Sequence, residues 1–224
     1  MRIKDKNDPL YWPNIPKEKL ILLRSGSYTN ARVFRYTWGG VELTIKSFEH
    51  CPWWIKCLVA RTVARIEYHC LNRLMGLAGI TSRVLLLDGY TVAFSYISGE
   101  SLRKIHRNRQ RLPKSFFIEM EKRVRAMHCR GQVHLDLRNL GNVIHGEDGA
   151  PYLIDFQSSL RTNYLPKKLR TVLENFDISG VYKCWKLLCE EPLDPQREQL
   201  LHKFTKLRRF WIFKKTQRII KNFL

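Results

Sequence analysis

The sequence predicts an α+β fold, with an antiparallel sheet and one helix in its first hundred residues and a mainly helical remainder. Three observations carry this. Residues from about Leu20 to Phe48 alternate apolar and polar positions around two turn signals, the apolar period lengthens to three and four between Trp53 and Met75, and the final third reads as mainly helical. Ser98-Gly99 interrupts the pattern, so a boundary is expected there, dividing residues 1–97 from residues 98–224.

After a polar start containing Pro9, Pro13 and Pro16, three strands are expected, the clearest pair being Ala31 to Thr37 and Val41 to Phe48. Trp38-Gly39-Gly40 joins them, because glycine supplies the backbone angles of a tight hairpin. Val63, Ile66, Cys70, Leu71 and Leu74 recur on one side of the following helix. Arg83 to Leu87 and Thr91 to Ile97 read as two strands around Asp88-Gly89. Pro113 suits a helix start, and Phe117, Met120, Val124 and Met127 form the apolar stripe of a helix that ends before Gly131. Short strands are expected on either side of the turn Gly146 to Gly149.

The chain has 224 residues, 44% of them hydrophobic, enough to bury a substantial core. Forty Lys and Arg against twenty Asp and Glu leave a formal charge of +20, which attracts anionic partners such as nucleic acid, acidic lipid or phosphorylated glycan. The six cysteines never form the C-x-x-C pairs of a zinc site, and reduced thiols are expected. Neither a signal peptide nor an apolar run of the ~18–20 residues needed to span a bilayer is visible.

The chemistry concentrates between Met127 and Phe156. His134-Leu-Asp136-Leu-Arg138-Asn-Leu-Gly-Asn142 is followed by Tyr152-Leu-Ile-Asp155-Phe156. This run closely resembles the catalytic and metal-binding loops of protein-kinase-like phosphotransferases. The resemblance implies that Asp136 orients the acceptor hydroxyl and takes its proton, while Asn142 and Asp155 hold magnesium against the phosphates of ATP. Phosphates repel an incoming nucleophile, and hard oxygen ligands that place magnesium among them reduce that repulsion. Arg138 stands where protein kinases carry a lysine, which implies a role on the transferred phosphoryl group. Lys46 in Val41-Glu-Leu-Thr-Ile-Lys46 resembles the V-A-I-K lysine, and Glu67 resembles its ion-pair partner on the next helix.

The resemblance spans roughly Leu20 to Ser158 and implies a bilobal arrangement with abbreviated activation and substrate regions. Gly26, in Ser25-Gly26-Ser27, would belong to the loop covering the nucleotide, and Tyr96, in Phe94-Ser95-Tyr96-Ile97, to the strand offering backbone groups to adenine. Several positions depart from the common pattern. Asn142 follows Asp136 by six residues instead of five, with Asn139 as an alternative ligand; Leu135 replaces the arginine of H-R-D; Gln157 replaces the glycine of D-F-G. These departures look more like the RIO-like and lipopolysaccharide-core kinases than like ordinary eukaryotic-type protein kinases.

Each assignment has a plainer rival. Asp136, Asn142 and Asp155 could cap turns, and Lys46 with Glu67 could form a surface ion pair. His128 and His134 read as structural, while Asp177 reads either as an anchor of the catalytic loop or as a solvated helix-start carboxylate. Residues Leu201 to Leu224 carry eight Lys or Arg and no acid, interleaved with Phe204, Phe210, Trp211 and Phe213, which suits either an anionic interface or a packed helix with basic edges. Resemblance and charge together imply an ATP- and magnesium-dependent kinase in the cytoplasm, peripheral at the inner membrane face. Its acceptor would be a membrane glycolipid such as a lipopolysaccharide-core sugar. The alternatives are a RIO-like protein kinase or ATPase engaging RNA or ribosomes, and a nucleotide-binding pseudokinase.

Overall fold

The computed structural model describes residues 5–26 and 30–207. Strands β1 (Ile21–Arg24), β2 (Arg32–Trp38) and β3 (Val41–Ser47) form an antiparallel meander. Gly39 and Gly40, both at positive φ, close the β2–β3 hairpin as the sequence predicts. A turn of helix, α1 (Trp53–Ile55), passes through a π-helical turn at Lys56–Ala60 into α2 (Arg61–Leu74). Strands β4 (Val84–Leu86) and β5 (Thr91–Ser95) complete a five-stranded antiparallel sheet of order β1-β2-β3-β5-β4.

Beyond it come β6 (Gly99–Ser101), α3 (Leu102–Arg107), α4 (Lys114–Cys129), β7 (Gln132–Val133), β8 (Val143–Gly146), β9 (Pro151–Leu153), β10 (Leu160–Arg161) and α5 (Lys167–Leu188). Residues 195–207 are again helical. Two small sheets, β6-β8-β9 and β7-β10, pin the loops between these helices. The architecture is therefore α+β, and no helix among the described residues is long and apolar enough to cross a membrane.

Alternation along β3 decides which side chains meet the helices. Leu43 and Ile45 point to one face, into a cluster with Leu10, Trp12, Ile15 and Tyr36. The Pro-containing start, read from sequence as merely polar, thus covers the outer face of the sheet. Trp12 anchors it by donating its indole N–H to Glu49 at 2.5 Å, with Lys17 Nζ 3.5 Å from its ring centre. Thr44 and Lys46 point the other way, towards α2.

The main core joins α2, β4 and β5 to α3, α4 and α5 without interruption, around Phe117, Val124, Met127, Phe156 and Trp185. In α2 the buried residues are Ala64, Glu67, Cys70, Leu71 and Leu74, whereas Ile66, expected on that stripe, is exposed. The helix is turned so that Glu67 faces Lys46, and Ile66 lies to the side. All six cysteines are free, and burial pushes the Cys70 and Cys184 thiols up to about 12, so both stay protonated. At the sheet's free edge, β1 leaves Ile21, Leu22 and Leu23 exposed, and a bulge between Leu22 and Arg24 breaks its ladder with β2. The interleaved aromatic and basic residues from Arg208 onward lie outside the described residues.

Candidate active site

Between the sheet and the loops after α4 lies a cavity of about 370 Å³, walled by Val33, Thr44, Lys46, Phe94, Asn142 and Asp155 among others. Lys46 reaches it because register pairs it with Val33 on β2 and Val92 on β5, deep in the sheet. Its Nζ donates to Glu67 Oε1 at 2.6 Å and to Asp155 Oδ1 at 2.9 Å. The side chains of Lys46 and Glu67 are 8% and 1% exposed, which rules out the surface ion pair raised above.

One cation between two carboxylates divides them. Burial pulls the Lys46 ammonium down, but Glu67 and Asp155 outweigh it and hold its pKa above the ordinary value. Burial pushes the deeper Glu67 up, and Lys46 only partly offsets this. Asp155 also feels burial, but Lys46, followed by His134 and Arg24, pulls it below the usual carboxylate range. The negative charge is thus held most firmly on Asp155, the carboxylate nearer the open cavity.

Across the cavity floor, Asn142 is 3% exposed and gives its Nδ2 to the carbonyl of Asp136 at 3.0 Å and to Asp136 Oδ2 at 2.9 Å. Asn139 does not match its alternative role as a metal ligand: its Oδ1 caps the following 3₁₀ turn by accepting the Gly141 N–H at 3.0 Å, and it also accepts from Arg103. Asp136 is tied to the cavity through these two amides.

The loop itself is clamped from behind. Asp177, 1% exposed in α5, accepts the His134 and Leu135 backbone N–H groups at 2.7 Å each, and its Oδ2 lies 3.1 Å from His128 Nε2. This settles the anchor-or-solvated alternative in favour of the anchor. His134 joins the loop to the next strand: its Nε2 lies 3.0 Å from the Ile154 carbonyl and its ring 4.6 Å from that of Phe156. Leu135 and Asp155 both adopt left-handed backbone angles, φ 65° and 68°, which strain non-glycine residues and persist where surrounding structure holds them.

The remaining candidates fall unevenly. Arg138 does not point into the cavity; its guanidinium hydrogen-bonds Ser179 and Thr205 at 3.2 Å each, because α5 and the helix over residues 195–207 offer hydroxyls on its own side of the loop. Tyr96 borders the cavity under the Arg35 guanidinium, which sits 4.5 Å from its ring centre, but its backbone N–H is taken by the Glu42 carbonyl. Gly26 sits just past β1 at φ 71°, where a Cβ would come within 2.7 Å of the Asn30 carbonyl oxygen. Arg24 and Arg103, which the sequence did not single out, both line the cavity. A larger depression, about 490 Å³ across Tyr96 to Ser98, is lined by Glu147 and Asp148 without any lysine or arginine and is unsuited to phosphates.

No protein-family model matches the chain, and no curated protein matches it.

Proposed function

We propose that the chain is a protein-kinase-like phosphotransferase that moves the γ-phosphate of ATP to an alcohol group. The observation that carries this reading is Lys46 held between Glu67 of a helix and Asp155 of a distant loop, at the inner end of the cavity. Such an ammonium would fix α- and β-phosphates, and the sheet-plus-helix half followed by a helical half supports the bilobal form.

Magnesium fits the donor set. Asn142 spends its Nδ2 on Asp136, leaving its amide oxygen to act as a hard ligand in the cavity that Asp155 also lines. Among the described residues no group of three or more His, Cys, Asp or Glu is arranged to hold a metal ion, but magnesium held by one or two protein oxygens and completed by phosphates and water needs none. When bound, the metal would offset phosphate charge during transfer.

Asp136 Oδ2 is occupied by amide donors, so Oδ1 is the oxygen left to orient and deprotonate the acceptor hydroxyl. The Tyr96 carbonyl and the Ile97 backbone border the cavity without a hydrogen-bond partner among the described residues, and they are the groups to meet the adenine edge. Charge of +20 supports an anionic, membrane-associated acceptor, with a lipopolysaccharide-core sugar as the specific candidate and the cytoplasmic membrane face as its place.

The test is transfer from γ-labelled ATP with magnesium to purified glycolipid, comparing the native chain with Asp136→Asn. Labelling that disappears in the variant is expected; equal labelling by both proteins removes the assigned mechanism.

A further inference from the structure

We propose that Arg103 and Asn139 form an anion subsite beside Asp136, so that the molecule receiving the phosphoryl group already carries a phosphate. The proposal rests on the phosphotransferase reading and names the acceptor class for it.

Arg103 lies in the first turn of α3 and lines the same cavity as Lys46 and Asp155. Its Nη2 donates to Asn139 Oδ1, and Asn139 Nδ2 is 3.4 Å from Asp136 Oδ2. The guanidinium is thus held by a neutral amide that also touches the carboxylate assigned to the acceptor hydroxyl. Lys46 is different, being offset by two carboxylates. Among the described residues Arg103 has no carboxylate within ion-pair distance, so its charge remains for a ligand.

Local sequence makes room for this. A Cβ on Gly141 would sit 3.2 Å from the Arg103 Cζ, so glycine there lets the guanidinium lie across the loop. Arg138, the cation that sequence pattern placed on the phosphoryl group, is engaged by Ser179 and Thr205. A planar guanidinium with a free edge suits phosphate oxygens better than it suits a neutral hydroxyl. The acceptor takes precedence over the nucleotide as the source of that phosphate because Lys46, Asn142 and Asp155 already serve the nucleotide, while Arg103 is linked through Asn139 to Asp136.

Isothermal titration of the full chain with inorganic phosphate, alone and saturated with magnesium and a non-hydrolysable ATP analogue, tests this. Phosphate is expected to bind the nucleotide-loaded protein, and Arg103→Gln to weaken that binding about tenfold while analogue affinity stays unchanged. Gly141→Ala, which displaces the guanidinium without removing it, is expected to weaken phosphate binding about two- to threefold. Equal phosphate affinity in the native chain and Arg103→Gln overturns the subsite. A parallel fall in analogue affinity also overturns it, because Arg103 would then belong to the nucleotide. Phosphate binding that depends on Arg103 in a protein that binds no analogue would sink the phosphotransferase reading and leave the subsite standing.

Discussion

Two carboxylates, Glu67 and Asp177, are each about 1% exposed, yet they are satisfied in opposite ways. Glu67 faces a cation, Lys46, whose other partner is Asp155 at the cavity. Asp177 faces two backbone N–H groups and an imidazole, and its partners are the loop carrying Asp136. A carboxylate paired with a side-chain cation shares a charge that a ligand can also claim. A carboxylate paired with backbone fixes the path of the chain. The first arrangement suits a group that handles substrate, and the second a group that holds strained backbone in place.

The largest effect should come from breaking the backbone clamp. Asp177→Ala removes the acceptor of two N–H groups, one fully buried, and should cost about 2–4 kcal/mol of unfolding free energy in urea titrations and, on the proposed function, phosphoryl transfer as well. Native-like stability in that variant would erase the distinction between the two carboxylates.

Lys46→Met should cost less stability, about 1–3 kcal/mol, because Glu67, already pushed up by burial, can neutralise by taking a proton. Its cost should shrink as pH is lowered, since an acid whose folded pKa is raised favours the fold in its protonated form. Lys46→Met combined with Glu67→Leu should recover stability but not the magnesium–ATP affinity that the proposed function requires, which separates the pair's role in folding from its proposed role at a ligand.

In the native chain the Lys46 contribution is lost in a different, alkaline window. A lysine held above its ordinary 10.5 stabilises fully below that value and loses its contribution as pH rises through the raised one, whereas Asp155, held below 3.8, loses its contribution only as pH falls through its lowered value. Urea midpoints across alkaline pH should show the loss in the native chain and not in the double variant. The smallest change should follow Leu135→Gly, which relieves a left-handed leucine and should alter stability by at most about 1 kcal/mol, measured by the same titration. A gain would show that Asp177 holds Leu135 against strain.

The meander, α2, α4 and their apolar faces were legible because strand and helix periods are local properties. Lys46 and Glu67 were singled out by their resemblance to the strand lysine and helix glutamate of protein-kinase-like phosphotransferases, and period alone did not turn Glu67 towards Lys46. Asp177 was legible only as two alternatives, a loop anchor or a solvated carboxylate, since the partners that decide between them lie more than forty residues away. The direction of Arg138 was not legible. Spacing can place a residue type on a loop, but Ser179 and Thr205 determine where the guanidinium points. Leu10, Trp12 and Ile15 were hidden among charges and prolines, although three apolar side chains in six residues are enough to cap a sheet.

The exposed edge strand β1 carries a consequence for how the molecules tolerate one another. Three consecutive aliphatic side chains and a ladder edge that is unpaired among the described residues are a template for chain-to-chain strand addition, and the bulge at Leu22 to Arg24 only shortens it. With a formal charge of +20, copies repel one another at low ionic strength, which opposes pairing through that edge. Concentrated salt or a polyanion screens the repulsion, and should drive the protein out of solution through β1 before it disturbs the buried Lys46 site.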